Sequence, residues 1–187
     1  MMEVSGPQWC ERFSTSTSVD DLTPDFAGKV NSFLRALWAA DATTLISATY
    51  RPPERTYLMH WTWQIVHGDK HGVKTFPKDV PSMPGVEIDW THDDDLIAAE
   101  AAAKAMVETY GLVHLPVLNS RHTERRAIDM TIEWDGPLAI KSASGATVII
   151  SGAGPRDGTN PLLWPVSASY GVIKLPSDPP HWSVDGH

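Results

Sequence analysis

Ser120-Arg121-His122-Thr123-Glu124-Arg125-Arg126-Ala127-Ile128-Asp129 is the stretch that decides how this chain is read. It sets an imidazole and a carboxylate seven residues apart. That is not the i, i+4 spacing that puts two ligands on one helix face. It suits a loop that carries His122 and runs into a strand that carries Asp129. From Ala127 the chain alternates. Ala127, Asp129, Thr131 and Glu133 share one side, and Ile128, Met130, Ile132 and Trp134 share the other. The apolar set can bury against a helix, which leaves Asp129 on a polar face toward a cleft. The same residues also suit a charged surface loop before a buried strand, and the spacing alone does not separate the two.

Outward from this stretch, helix and strand signals alternate. Thr23-Pro24-Asp25 reads as a helix start, with an N-cap, a Pro at N1 and an acid in the first turn. Phe26, Val30, Phe33, Leu34 and Leu37 follow at helical spacing, so this helix runs to about Ala40. The β-branched run 43–50 predicts a strand, stopped by Arg51-Pro52-Pro53. Pro53 opens a second helix, with Tyr57, Leu58, Trp61 and Ile65 on it, ending near Gly68. Residues 68–90, rich in Gly and Pro, predict a long loop of the kind that serves as a lid or binding loop. Thr91 with Asp94 predicts the cap of an Ala-rich helix over 96–110, which Gly111 ends. Beyond the opening stretch, Gly136-Pro137 breaks the strand, Thr147–Ile150 is another, and 162–170 is a short helix ended by Gly171.

The bulk numbers narrow the function classes. The chain has 187 residues, which predicts one domain with a sizeable core. Residues 1–22 read as an irregular N-terminal segment, tied down by Trp9 and Phe13, with the core over 23–187. Apolar content is 42% and charged content 20%, a globular balance. The net charge of −8 and the lack of a basic block speak against nucleic-acid binding. Cys10 is the one cysteine, so no intramolecular disulfide forms, and it reads as a small buried or semi-exposed residue rather than a nucleophile. No basic segment followed by an apolar one opens the chain, so no signal peptide is expected. No apolar run reaches the ~20 residues of a membrane span. Synthesis in the cytoplasm is expected, with release by another agent if the protein acts outside. Trp38, Trp61, Trp90 and Trp134 are expected in the core.

A hydrolytic zinc site takes three protein ligands, an open position and a base beside the water. His122 and Asp129 supply two ligands. His181 is the best third, because Asp178 stands three residues before it across Pro179-Pro180. The two prolines favour a polyproline-type backbone, in which i and i+3 point the same way about 9 Å apart. Asp178 and His181 then face one cleft. The same segment also reads as a Pro-rich turn with an exposed Asp. His67 and His71 have ligand-like spacing, but Gly68 and Gly72 break the helix that would align them.

Together these motifs resemble the M15 family of zinc D-Ala-D-Ala-type peptidases, which includes the L-alanyl-D-glutamate endopeptidases of phage endolysins. Ser120-x-His122, followed by Ala127-x-Asp129, resembles the family's Ser-x-His-x-x-Gly-x-Ala-x-Asp motif. Asp178-Pro179-Pro180-His181-Trp182 resembles its acid-x-x-His-aromatic motif, and Ser47-Ala48-Thr49-Tyr50-Arg51 its strand-end Ser-x-x-x-Arg element. The motifs keep the family order over residues 47–182.

The resemblance implies a single α+β domain, a small antiparallel sheet flanked by helices, of the hedgehog and D-Ala-D-Ala-peptidase type. It implies Zn2+ on His122, Asp129 and His181, with Asp178 as general base and then acid, and Arg51 stabilising the oxyanion. Ser120 braces the metal loop, and Trp182 lines the cleft. The implied function is peptidoglycan hydrolysis at the L-Ala–D-Glu bond of the stem peptide, by a monomeric lysin that reaches the wall after release. The alternatives are a D,D-carboxypeptidase or D-Ala-D-Ala dipeptidase, and a non-catalytic cell-wall-binding module of the same fold. One position departs from the pattern: Arg125 stands where the family has Gly. If that Gly serves a positive-φ turn, Arg strains it by ~1 kcal/mol or more.

Overall fold

The computed structural model describes residues 2–68 and 74–187. In chain order the elements are β1 Glu3–Val4, α1 Pro24–Trp38, β2 Thr43–Ala48, α2 Pro53–His67, β3 Ile88–Asp89, α3 Leu96–Tyr110, β4 Ala127–Glu133, β5 Leu138–Lys141, β6 Thr147–Ile150, α4 Trp164–Ser169, β7 Ile173–Lys174 and β8 His181–Ser183. The fold is α+β. Its residues group into two compact units, one of Met1–Ser14 and Arg51–Asn119, the other of Thr15–Tyr50 and Ser120–His187. No described helix is long and apolar enough to cross a membrane.

The second unit is built on an antiparallel sheet of order β2-β4-β8-β7. Strand β4 lies inside it and follows the expected alternation. Ile128, Met130 and Ile132 are buried, while Thr131 and Glu133 are exposed. Helix α1 lays Phe26, Val30, Phe33, Leu34 and Leu37 into the same core. Each such side chain contributes roughly 1.5–3 kcal/mol on burial. Trp38 is 53% exposed, against expectation. Leu37 takes the core, and one step around the helix is ~100°. The Trp38 indole instead donates to Thr44 Oγ1 at 3.0 Å. Trp182 is fully buried, 5.8 Å from Phe33 between ring centroids, and does not line a cleft. The reason is strand geometry. His181 opens β8, and successive side chains on a strand face opposite ways. The hairpin β5–β6 packs Leu138, Ile140 and Ile150 into this core.

The first unit pairs α2 with α3 and gathers Trp9, Cys10, Tyr57, Leu58, Trp90 and Met106 into its own core. The N-terminal segment is less irregular than its composition suggests, since β1 pairs in parallel with β3. Helix α3 spans Leu96–Tyr110 as expected, but its cap is neither Thr91 nor Asp94. Asp95 is its cap and accepts from the Ala98 amide at 3.0 Å. His92, Asp93 and Asp94 have φ of 52, 56 and 67°, left-handed values that no first helical turn can adopt. Thr91 is spent on Asp89, donating through its amide and hydroxyl at 2.8 and 2.7 Å. Gly111, at φ 65°, closes the helix as expected.

Candidate metal centre

The site begins with strand register. Asp129 on β4 lies directly opposite His181 on β8. Directly opposed residues hold their Cβ atoms about 5 Å apart. On its other side β4 meets β2, whose register slips between Ile46 and Ala48. The extra residue, Ser47, is a bulge that bends the end of β2, and its hydroxyl donates to the Asp129 carbonyl at 3.3 Å.

His122 arrives from the turn before β4. The Arg126 amide donates to the Arg121 carbonyl at 2.7 Å, and the Arg125 amide to the His122 carbonyl at 3.2 Å. This is the nested pair that closes a helical turn and needs a left-handed residue in the penultimate position. Arg125 holds that position, at φ 60°. The departure at the glycine position therefore keeps the glycine conformation and carries its strain. Its guanidinium carbon stacks 4.1 Å over the Tyr50 ring. At Ser120 the main-chain carbonyl accepts from the Thr123 hydroxyl at 2.7 Å, and the serine hydroxyl accepts from the Thr123 amide at 3.4 Å.

Three side chains converge. His122 Nε2, Asp129 Oδ1 and His181 Nδ1 form a triangle with edges of 3.1, 3.0 and 3.2 Å. The two imidazoles are 3% and 7% exposed. Their outer nitrogens meet main-chain oxygens, which can only accept. His122 Nδ1–H therefore donates to the Thr49 carbonyl at 2.8 Å, and His181 Nε2–H to the His187 oxygen at 3.0 Å. This fixes both tautomers. In neutral rings the inner nitrogens carry no proton, so two nitrogen lone pairs and a carboxylate oxygen face one another. Only a cation or an added proton reconciles them. The edges match those of a tetrahedral zinc site, where bonds of ~2.0–2.1 Å give ligand–ligand distances of ~3.3 Å. The outer hydrogen bonds are the kind that orient metal-bound histidines. The donor set fits a metal ion.

Without an ion, protons take its place. Burial pushes the Asp129 carboxyl up, but hydrogen bonds from His122 and His181 and their charge outweigh it, so it lies below the usual carboxylate range. Burial pushes the His181 imidazole down. The hydrogen bond to Asp129 and its charge, then the His187 oxygen and the Asp178 charge, outweigh that and raise it.

Asp178 stands outside this cluster. The backbone from Asp178 to His181 is not extended. The His181 amide donates to the Asp178 carbonyl at 3.1 Å and closes a turn, with the Asp178 side chain exposed. In such a turn the first and fourth residues approach within ~7 Å. Asp178 thus comes nearer to His181 than the polyproline reading placed it. The cause is Lys174, which sequence reasoning passed over. It is 5% exposed, and its ammonium donates to the carbonyls of Leu175 at 2.6 Å, His181 at 3.1 Å and Asp178. An ammonium has three donors, and all are used on one turn. A lone Lys in an apolar run gives no sign of this; only the pairing of β7 with β8 does. Arg51 follows Tyr50 and opens the segment that groups with the first unit. His67 stacks on Trp63 at 4.0 Å, and His71 lies outside the described residues.

A groove of about 310 Å³ follows β4 from Met130 to Glu133 and the Pro179–Pro180 turn, with Thr131, Glu133 and Asp157 in its wall and none of the three triangle residues lining it. No protein-family model matches the chain, and searches of curated proteins and of solved structures return no match. Function is therefore argued from the site itself.

Proposed function

We propose that this chain is a zinc-dependent peptidoglycan hydrolase that cuts an amide bond of the stem peptide, with L-Ala–D-Glu as the first choice of bond. The observation that carries the reading is the triangle of His122, Asp129 and His181, with both imidazoles locked by main-chain acceptors. Three protein donors, rather than four, would hold the ion, the ligand count of a catalytic rather than a structural zinc site. A zinc ion held there supplies Lewis acidity and brings the pKa of a water from 15.7 toward about 7. Asp178 takes the proton from the attacking water and returns it to the leaving amine. Its place at the head of the turn that ends in His181, with its charge felt by that ring, supports the role. Arg51 is assigned the developing oxyanion only by the resemblance of the Ser47–Arg51 element. The groove along β4, on the strand that carries Asp129, is the bed this reading gives an extended peptide. The order of the motifs, resembling that of M15 endolysin peptidases, supports the substrate class. In this reading the protein is made in a bacterial cytoplasm and reaches the wall once released.

The test uses outer-membrane-permeabilised bacterial cells and purified muropeptides. Turbidity falls with zinc-loaded protein, and a chelator prevents the fall. Asp178→Ala abolishes lysis while zinc content is retained. Mass spectrometry of the products identifies the bond: a new N-terminal D-Glu marks the endopeptidase, and loss of terminal D-Ala alone marks a D,D-carboxypeptidase. No cleavage with metal bound sinks the reading and leaves a binding module.

A further inference from the structure

Three arginines stand in the His122 turn, and two of them meet carboxylates. Arg121 donates to Asp185 and to Glu124 through 2.6 and 2.9 Å contacts. Arg126 lies 3.9 Å from Glu124. Arg125 has no carboxylate partner among the described residues. Its guanidinium carbon nevertheless lies over the Tyr50 ring, 4.1 Å from the ring centre. A cation–π contact spends no N–H donor on a carboxylate, and the guanidinium fork is the geometry that takes a carboxylate bidentately.

The position of this cation is set by the same main chain that sets the ligand. The Arg125 amide donates to the carbonyl of His122. Tyr50 adjoins Thr49, whose carbonyl holds the His122 ring. The turn itself has no need of a side chain there, since a residue at φ 60° is unstrained only as glycine. A strained backbone carrying an exposed and unpaired cation beside a metal ligand is an arrangement suited to an anionic group of a ligand.

We propose that Arg125 is the carboxylate receptor of the centre and selects substrates bearing an α-carboxylate on the residue that leaves as the amine. The inference rests on the peptidase reading and deepens it. In a stem peptide, D-Glu is joined onward through its side-chain carboxyl, so its α-carboxylate is free next to the scissile nitrogen. A C-terminal D-Ala presents its carboxylate at the same place. The shared chemistry is a carboxylate on the Cα attached to the leaving nitrogen. Amidation of that group, as in D-isoglutamine, removes the charge that Arg125 reads.

The experiment compares wild type, Arg125→Gly and Arg125→Lys, each zinc-loaded and matched for zinc content. Glycine suits the turn, so Arg125→Gly keeps the fold. With an L-Ala–D-Glu stem peptide, Arg125→Gly raises KM about tenfold or more and leaves kcat within about twofold. The α-amidated peptide shows no such change, and Arg125→Lys recovers part of the loss. Acetyl-D-Ala-D-Ala and its amide form a second arm that tells which carboxylate source is used. Calorimetric titration with N-acetyl-D-glutamate and N-acetyl-D-isoglutamine reads binding without turnover. Wild type prefers the acid, and Arg125→Gly loses the preference. Equal KM in wild type and Arg125→Gly, or a parallel loss on acid and amide, overturns the proposal. Absence of cleavage by wild type overturns the peptidase reading instead, and the titration then decides Arg125. A wild-type protein without acid preference overturns it.

Discussion

His122 and His181 reach Asp129 from two flanks of β4, and the flanks are held by different physics. The His122 turn is closed by local main-chain bonds between residues 121 and 126, and its side-chain ion pairs are exposed. Its one expensive feature is backbone strain at Arg125. The His181 turn is held by a buried charge. Lys174 gives all its donors to three carbonyls of residues 175–181. A local turn of the first kind forms from its own residues. The second exists only once β7 and β8 have paired and shut out water. The difference teaches where the centre is robust. Surface changes on the His122 flank should be absorbed, and loss of the ammonium on the other flank should not.

Removal of a donor breaks both flanks at once, and it is the largest effect expected. Asp129→Ala, His122→Ala or His181→Ala should reduce bound zinc from about one per chain to background, since a zinc site of this type needs all its ligands. Metal analysis after dialysis measures it. Full zinc retention in any of the three variants refutes the triangle as the site.

Lys174→Met tests the second flank directly. It leaves the carbonyls of Leu175, Asp178 and His181 without their donor, at a cost of roughly 2–4 kcal/mol. Zinc affinity should fall about 10–100-fold with it, as for other groups that orient ligands. Thermal melts and zinc titration read the two losses. Arg121→Ala, on the exposed flank, should change stability little. If the two variants melt alike, the contrast between the flanks is wrong.

The pH dependence separates protons from metal in the triangle. His181 has a raised pKa in the metal-free protein, so its contribution is complete below the unfolded value near 6.5 and is lost as pH rises through the folded value. Asp129 is depressed, so its contribution is present above ~3.9 and is lost as pH falls through its folded value. The metal-free protein should therefore draw most from the triangle between about pH 4 and 6.5. Zinc needs deprotonated ligands, so its stabilisation grows above that window. Melting curves with and without chelator should diverge as pH rises from 6 to 8. Parallel curves would show that no metal replaces the proton.

The part of this that could be read from sequence is the part with short-range causes. Strand β4 was legible because alternation from Ile128 to Ile132 reports burial directly. The three side chains that converge, His122, Asp129 and His181, were legible as motifs. Strands β7 and β8 were not, since two or three residues carry no period and β8 follows two prolines. The sequence leaves 178–181 open between an extended segment and a turn with an exposed Asp178, because proline fixes φ but leaves ψ open, and the structure has the turn, with Lys174 bonded to its carbonyls. Trp182 was placed in the cleft for the same reason: without β8, nothing said that it must face away from His181.

The smallest effect expected concerns the strained turn. Arg125→Gly relieves left-handed strain of ~1–2 kcal/mol. It forfeits ~0.5–1 kcal/mol of stacking on Tyr50 and about as much again to the freer unfolded chain. These nearly cancel, so the net change should stay within about 1 kcal/mol of zero. The informative comparison is Arg125→Ala, which also loses the stack but keeps the strain. It should be less stable than Arg125→Gly by about 1 kcal/mol, a few degrees in a thermal melt. That order follows only if the His122 turn holds a left-handed residue as its closure requires. Should the alanine and glycine variants melt together, the strain is absent and the flank is held by its hydrogen bonds alone.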